Sequence, residues 1–119
     1  MARKYRYQQL CPVARSLEIV GDRWTLLLIR DLAAGQSKYA GLLGTLRGIS
    51  PNVLSERLKL LEREGLVVSS LYSVHPPRAE YRLTDKGEAI IPVLRAFTAW
   101  GEAYAPRKAR PATDNPNSA

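Results

Sequence analysis

Between Gly48 and Val67 the chain specifies a helix at both of its ends. Ser50 is suited to cap the N-terminus, because its side-chain oxygen can accept from a free backbone N–H of the first turn. Pro51 follows at the first helical position, where a missing N–H costs nothing. Gly65 supplies the left-handed residue that closes a helix. Leu54, Leu58 and Leu61 recur at helical spacing and make one apolar stripe. The opposite face carries Asn52, Ser55, Glu56, Lys59 and Arg63. An anchored helix with hydrogen-bonding side chains on its free face suits a DNA major groove. Taken alone, the same pattern also describes an ordinary solvated helix, so the flanking segments decide between the two.

Upstream, Tyr39 to Leu46 keeps the leucine spacing of a short helix. Gly41 and Gly44 each weaken it by roughly 1 kcal/mol relative to alanine, so it depends on tertiary packing or on a close backbone approach. Gly48 ends it and only Ile49 then precedes the cap at Ser50, and two helices joined so tightly, the second amphipathic, form a helix-turn-helix. Downstream, the period changes. Leu66 to Tyr72 is β-branched and loosely alternating, Ser73 to Arg78 is a turn with two prolines, and Ala79 to Leu83 alternates with Ala79, Tyr81 and Leu83 inward. A helix-turn-helix followed by a hairpin is a winged helix. The expected fold is therefore mainly α with a small β-hairpin, a winged helix-turn-helix.

The candidate DNA contacts are Lys38, Ser50, Asn52, Ser55, Glu56, Arg57, Lys59, His75 and Arg78. Asn52 can pair bidentately with adenine, and Ser55, Glu56 and Lys59 share its face. Lys38 precedes the first helix of the pair, Arg57 lies on the flank of the second, and Arg78 stands at the hairpin tip; these three cations are expected at phosphates. His75 shares the tip and is placed for a backbone or minor-groove contact.

The rest of the chain frames this unit. Pro12 opens a helix through Val20 with Val13, Leu17 and Val20 on one face, and Gly21 breaks it. Asp22 is expected to cap a core helix from Arg23 to about Ala34, with Trp24, Leu27, Leu28 and Leu32 as its stripe. Thr84 caps a last helical region that Pro92 must kink or divide. Beyond Pro92, Leu94, Phe97, Trp100, Gly101 and Tyr104 present more apolar surface than so small a domain can bury, which points to a homodimer. One domain spanning residues 1–105, with a basic N-terminal arm and terminal dimerisation helices, is expected. A disordered basic and polar tail follows at 106–119.

Composition narrows the function. The chain has 119 residues, 18 Lys and Arg against 11 Asp and Glu, and a formal net charge of +7, which favours a polyanionic partner such as double-stranded DNA. No apolar run is long enough to span a bilayer, and the basic N-terminus lacks a signal-peptide core, so a cytoplasmic protein with no membrane contact is expected. One cysteine and one histidine argue against a disulfide framework and a metal site. No glycine-rich phosphate loop and no nucleophile–base constellation is evident, so neither an enzyme nor a cofactor is expected. Cys11 precedes Pro12 at a helix start, with Arg15 one turn on; both features favour the reactive thiolate. The plain alternative for Cys11 is a small buried side chain.

The order and spacing of several short motifs resemble the HxlR family of bacterial winged-helix transcription regulators, relatives of the MarR group. They are Cys11-Pro12, Gly21-Asp22-Arg23-Trp24-Thr25, Gly48-Ile49-Ser50, Leu58 with Leu61, Gly65-Leu66-Val67, Pro76-Pro77-Arg78-Ala79-Glu80-Tyr81, and Leu83-Thr84 with Gly87. The resemblance runs from Cys11 to about Gly101, and departs at Ala40, where a polar cap is more usual, and at Gly41 and Gly44. It implies a homodimer joined by N-terminal and C-terminal helices, binding a palindromic operator as a transcriptional regulator, with repression the expected direction. It implies further that the helix from Pro51 enters the major groove. Some regulators of this type use a cysteine at the position of Cys11 to sense oxidants or electrophiles, so a small-molecule or electrophile effector is a further expectation. The competing function is a winged-helix protein-interaction module without DNA readout.

Overall fold

Three leucines of one helix set the centre of the molecule. Leu54, Leu58 and Leu61 are buried in a single core with Leu28, Ile29, Leu42, Leu46 and Val67. The structure, a computed structural model, describes residues 11–105 and residue 107; the arm expected at 1–10 and the remainder of the tail expected at 106–119 lie outside the described residues. The element order is α1 (Pro12–Val20), α2 (Thr25–Ala33), α3 (Tyr39–Thr45), α4 (Pro51–Arg63), β1 (Val67–Ser73), β2 (Arg78–Leu83), α5 (Asp85–Glu88) and α6 (Ile91–Tyr104).

The helix α4 carries the ends expected of it. Ser50 Oγ accepts from the Val53 N–H at 3.1 Å, and Gly65 has φ +80°, the left-handed conformation that favours glycine. Its C-terminus is also tied to the next layer. Lys86 Nζ donates to the Glu64 carbonyl at 2.5 Å, and Thr84 Oγ1 donates to the Gly65 carbonyl at 2.6 Å. Gly87 is buried so close to the Leu66 carbonyl that an added Cβ would lie 2.2 Å from it. The start of the wing and α5 are thereby clamped to the end of α4.

The wing is a two-stranded antiparallel sheet in which Val67 pairs with Leu83, Ser69 with Tyr81 and Leu71 with Ala79, with an irregularity between Leu71 and Ser73. A short bridge from Lys38 to Glu80, with the Tyr81 N–H donating to the Ser37 carbonyl at 2.7 Å, joins the head of α3 to β2. The helix-turn-helix and the wing therefore share backbone hydrogen bonds.

One boundary differs from expectation for an identifiable reason, and one expected break is found. α2 starts at Thr25 rather than Arg23, because the Asp22 carboxylate first closes a turn, accepting from the Trp24 and Thr25 N–H groups at 2.8 and 3.0 Å. The terminal helical region is divided, and Pro92 falls in the first turn of α6, where it breaks no hydrogen bond. The doubt over α3 is answered by packing: Leu42 and Leu46 are buried, which holds a seven-residue helix despite its glycines. Ile29 and Thr25, outside the expected α2 stripe, are fully buried beside Leu28.

Candidate nucleic-acid interface

On the side of α4 away from the leucine stripe, Asn52, Glu56, Lys59 and Arg63 are exposed. Ser55 is half-buried, and it has a neighbour that the sequence reading missed. The Tyr39 hydroxyl donates to the Pro51 carbonyl at 3.0 Å and lies 3.4 Å from Ser55 Oγ. Tyr39 thus bridges the two helices of the motif at the head of α4. No spacing rule marks it, because its role exists only once α3 and α4 are set side by side.

The remaining candidates occupy distinct places. Ser50 is exposed, and its side-chain oxygen serves the cap of α4. Lys38 is exposed, and its ammonium sits 4.6 Å from the centre of the Tyr72 ring in the wing. A cation over an aromatic face at an exposed site is worth about 0.5–1 kcal/mol, so Lys38 links α3 to β1 in addition to carrying charge. His75 and Arg78 are exposed at the hairpin tip, where the Ser73 hydroxyl donates to the Pro76 carbonyl at 2.9 Å.

Arg57, expected at a phosphate, has an intramolecular partner: its Nη1 lies 3.2 Å from Asp22 Oδ2, and both side chains are about 70% covered (27% and 30% exposed). The Thr25 hydroxyl donates to the same Asp22 oxygen. Burial alone pushes the Asp22 carboxyl up, but the Thr25 hydroxyl, the Trp24 and Thr25 N–H groups and the Arg57 charge outweigh it, holding the carboxyl below its ordinary value.

The helices α1 and α6 leave large apolar side chains in solvent. Val13 is 67% exposed and Trp100 61%, with Leu17, Phe97 and Tyr104 also exposed. Trp100 and Tyr104 pack with ring centres 5.6 Å apart and their planes tilted by 43°. Cys11 is exposed at the head of α1, which removes the alternative of a side chain buried within the subunit.

Known proteins share this architecture. The HxlR-like helix-turn-helix family matches residues 19–109. An uncharacterised HTH-type transcriptional regulator of Mycobacterium tuberculosis is 40% identical over 99 residues, 83% of this chain and 62% of that protein. The chain thus spans less than two thirds of the length of that relative. YvaP of Bacillus subtilis, another HTH-type transcriptional regulator, is 38% identical over 81% of this chain and 90% of its own. Among solved structures, the reduced form of the B. subtilis transcriptional regulator YodB superposes with a TM-score of 0.67 at 33% identity, covering 79% of this chain and 93% of that one. Its diamide-treated form gives 0.64. With the winged helix-turn-helix in place and a match over most of its length, the chain belongs to the HxlR-like helix-turn-helix family.

Proposed function

We propose that the protein is a DNA-binding transcriptional regulator that places α4 in the major groove and the β1–β2 hairpin against the flanking backbone. The carrying observation is the exposed face of α4, with Asn52, Glu56 and Lys59 together on a helix capped at its start and buried along its other side. A net charge of +7 supplies the sequence-independent attraction to phosphate. Arg78 and His75 serve the backbone or minor groove, and Lys38 approaches a phosphate while resting on Tyr72. The protein acts in the cytoplasm as a homodimer joined through α1 and α6, on a palindromic operator, as a repressor. The test is to pass sheared genomic DNA over the purified protein and sequence what is retained. A recurrent inverted repeat is the expected result; retained fragments without a common motif would remove the reading.

Cys11 is assigned as the point where an oxidant or electrophile acts, since the thiol is exposed at the head of a helix proposed for subunit contact. Alkylating the native protein and remeasuring operator affinity tests this assignment. Complete labelling with unchanged affinity discards it.

A further inference from the structure

A helix packed along one apolar stripe can still change its roll by a few degrees, and polar contacts off the stripe restrict that freedom. The recognition helix α4 is anchored by Leu54, Leu58 and Leu61. Reading a base demands that the reading side chain be held to about 0.5 Å. At a side-chain radius of about 5 Å, a roll of about 10° already moves a tip by about 1 Å. Contacts off the stripe therefore bear on the roll, at the ends of the helix through Tyr39 and Lys86 and near its middle through Arg57.

Arg57 lies on the flank of that stripe, near the middle of α4, and reaches across 35 positions of sequence to Asp22 in the turn between α1 and α2. The carboxylate it meets does not swing freely. Asp22 Oδ1 accepts from two backbone N–H groups of the turn and Oδ2 accepts from the Thr25 hydroxyl, and Thr25 itself is fully buried. The arginine is thus bonded to a point that belongs to the rigid start of α2. Partial burial of both groups limits the screening that makes surface ion pairs weak. The turn that carries Asp22 follows directly on α1, whose Val13 and Leu17 face solvent.

We propose that Asp22 and Arg57 are a positioning pair that sets the roll of the recognition helix, and that Arg57 contributes to sequence discrimination through Asp22 rather than by touching a phosphate. The inference rests on the DNA-reading function proposed above. It separates two roles for an arginine on a recognition helix that predict opposite salt behaviour. A phosphate contact releases a counterion and contributes to the salt slope for every sequence. An internal strut leaves the slope alone and matters only where geometry is read.

The experiment uses the full chain, a duplex taken from the retained fragments and a random duplex of equal length. Affinities are measured against salt for the unaltered protein, Arg57→Met, Arg57→Lys, Asp22→Asn and the Asp22→Asn/Arg57→Met double variant. Arg57→Met is expected to lower the ratio of operator to random affinity about tenfold, a size typical of coupled pairs, with the salt slope unchanged. Asp22→Asn should lower the ratio similarly, the double variant no further than either single one, and Arg57→Lys should recover part of the loss. Arg57→Met leaves the Asp22 cap of α2 in place, so it remains informative even where Asp22→Asn melts early. A slope reduced by about one unit in Arg57→Met, with Asp22→Asn unaffected, makes Arg57 a phosphate contact and overturns the proposal. So does an equal loss on both duplexes. An unaltered protein that binds both duplexes alike refutes the DNA-reading function itself, a different result from either.

Discussion

Asn52 is exposed one residue into α4, on the face opposite the leucines, and its amide can accept from the N6–H and donate to the N7 that adenine presents in the major groove. Asn52→Ala is expected to weaken operator binding by about 1–3 kcal/mol and leave random-sequence binding nearly unchanged. Competitive titration checks it, and an equal loss on random DNA would show that the residue reads no base. Asp22 gives a second expectation, in pH. Its carboxyl is held below the ordinary range in the folded chain, so the stability it contributes is full above the unfolded carboxyl pKa of about 3.9 and disappears as pH falls through the lower folded value. Thermal melts should therefore show Asp22→Asn less stable than the unaltered protein near neutrality, with the gap closing as pH falls below the unfolded carboxyl value. A gap that persists unchanged through that range would assign the effect to lost hydrogen bonds rather than to charge.

At the scale of elements, α4 follows from its residues almost completely, because its cap, its first proline and its closing glycine are all local signals. Ser50→Ala is expected to cost about 1 kcal/mol of stability by leaving the first-turn N–H groups without their side-chain acceptor. Denaturant unfolding measures this, and a neutral result would mean that water serves the cap as well as serine does. The wing was readable from the switch to alternating residues and from Pro76 and Pro77, within one residue at each strand. What sequence could not supply is set by distance along the chain. The start of α2 moved because a carboxylate chose the turn over the helix. Arg57 read as a phosphate cation because its partner is 35 residues away, and Tyr39 read as one more helical residue because its hydroxyl acts on a different helix. Lys38 likewise meets Tyr72 only after the hairpin folds back.

For the whole molecule, Val13 and Leu17 on α1 and Phe97, Trp100 and Tyr104 on α6 leave apolar surface in solvent that a single subunit does not use. A two-fold dimer through these helices would present two copies of α4 to successive major-groove faces, about 34 Å apart. Sedimentation at micromolar concentration is expected to show a dimer, with Trp100 emission shifted to the blue; a monomer with Trp100 in solvent would contradict the assembly. Contact of α4 and the wing with DNA is read out by filter binding of the retained fragment across a range of salt. Affinity is expected to fall steeply and linearly on logarithmic axes, with a slope of several units as counterions leave the phosphates. A flat line would mean that no phosphate is contacted, and would assign this winged helix to protein contacts instead.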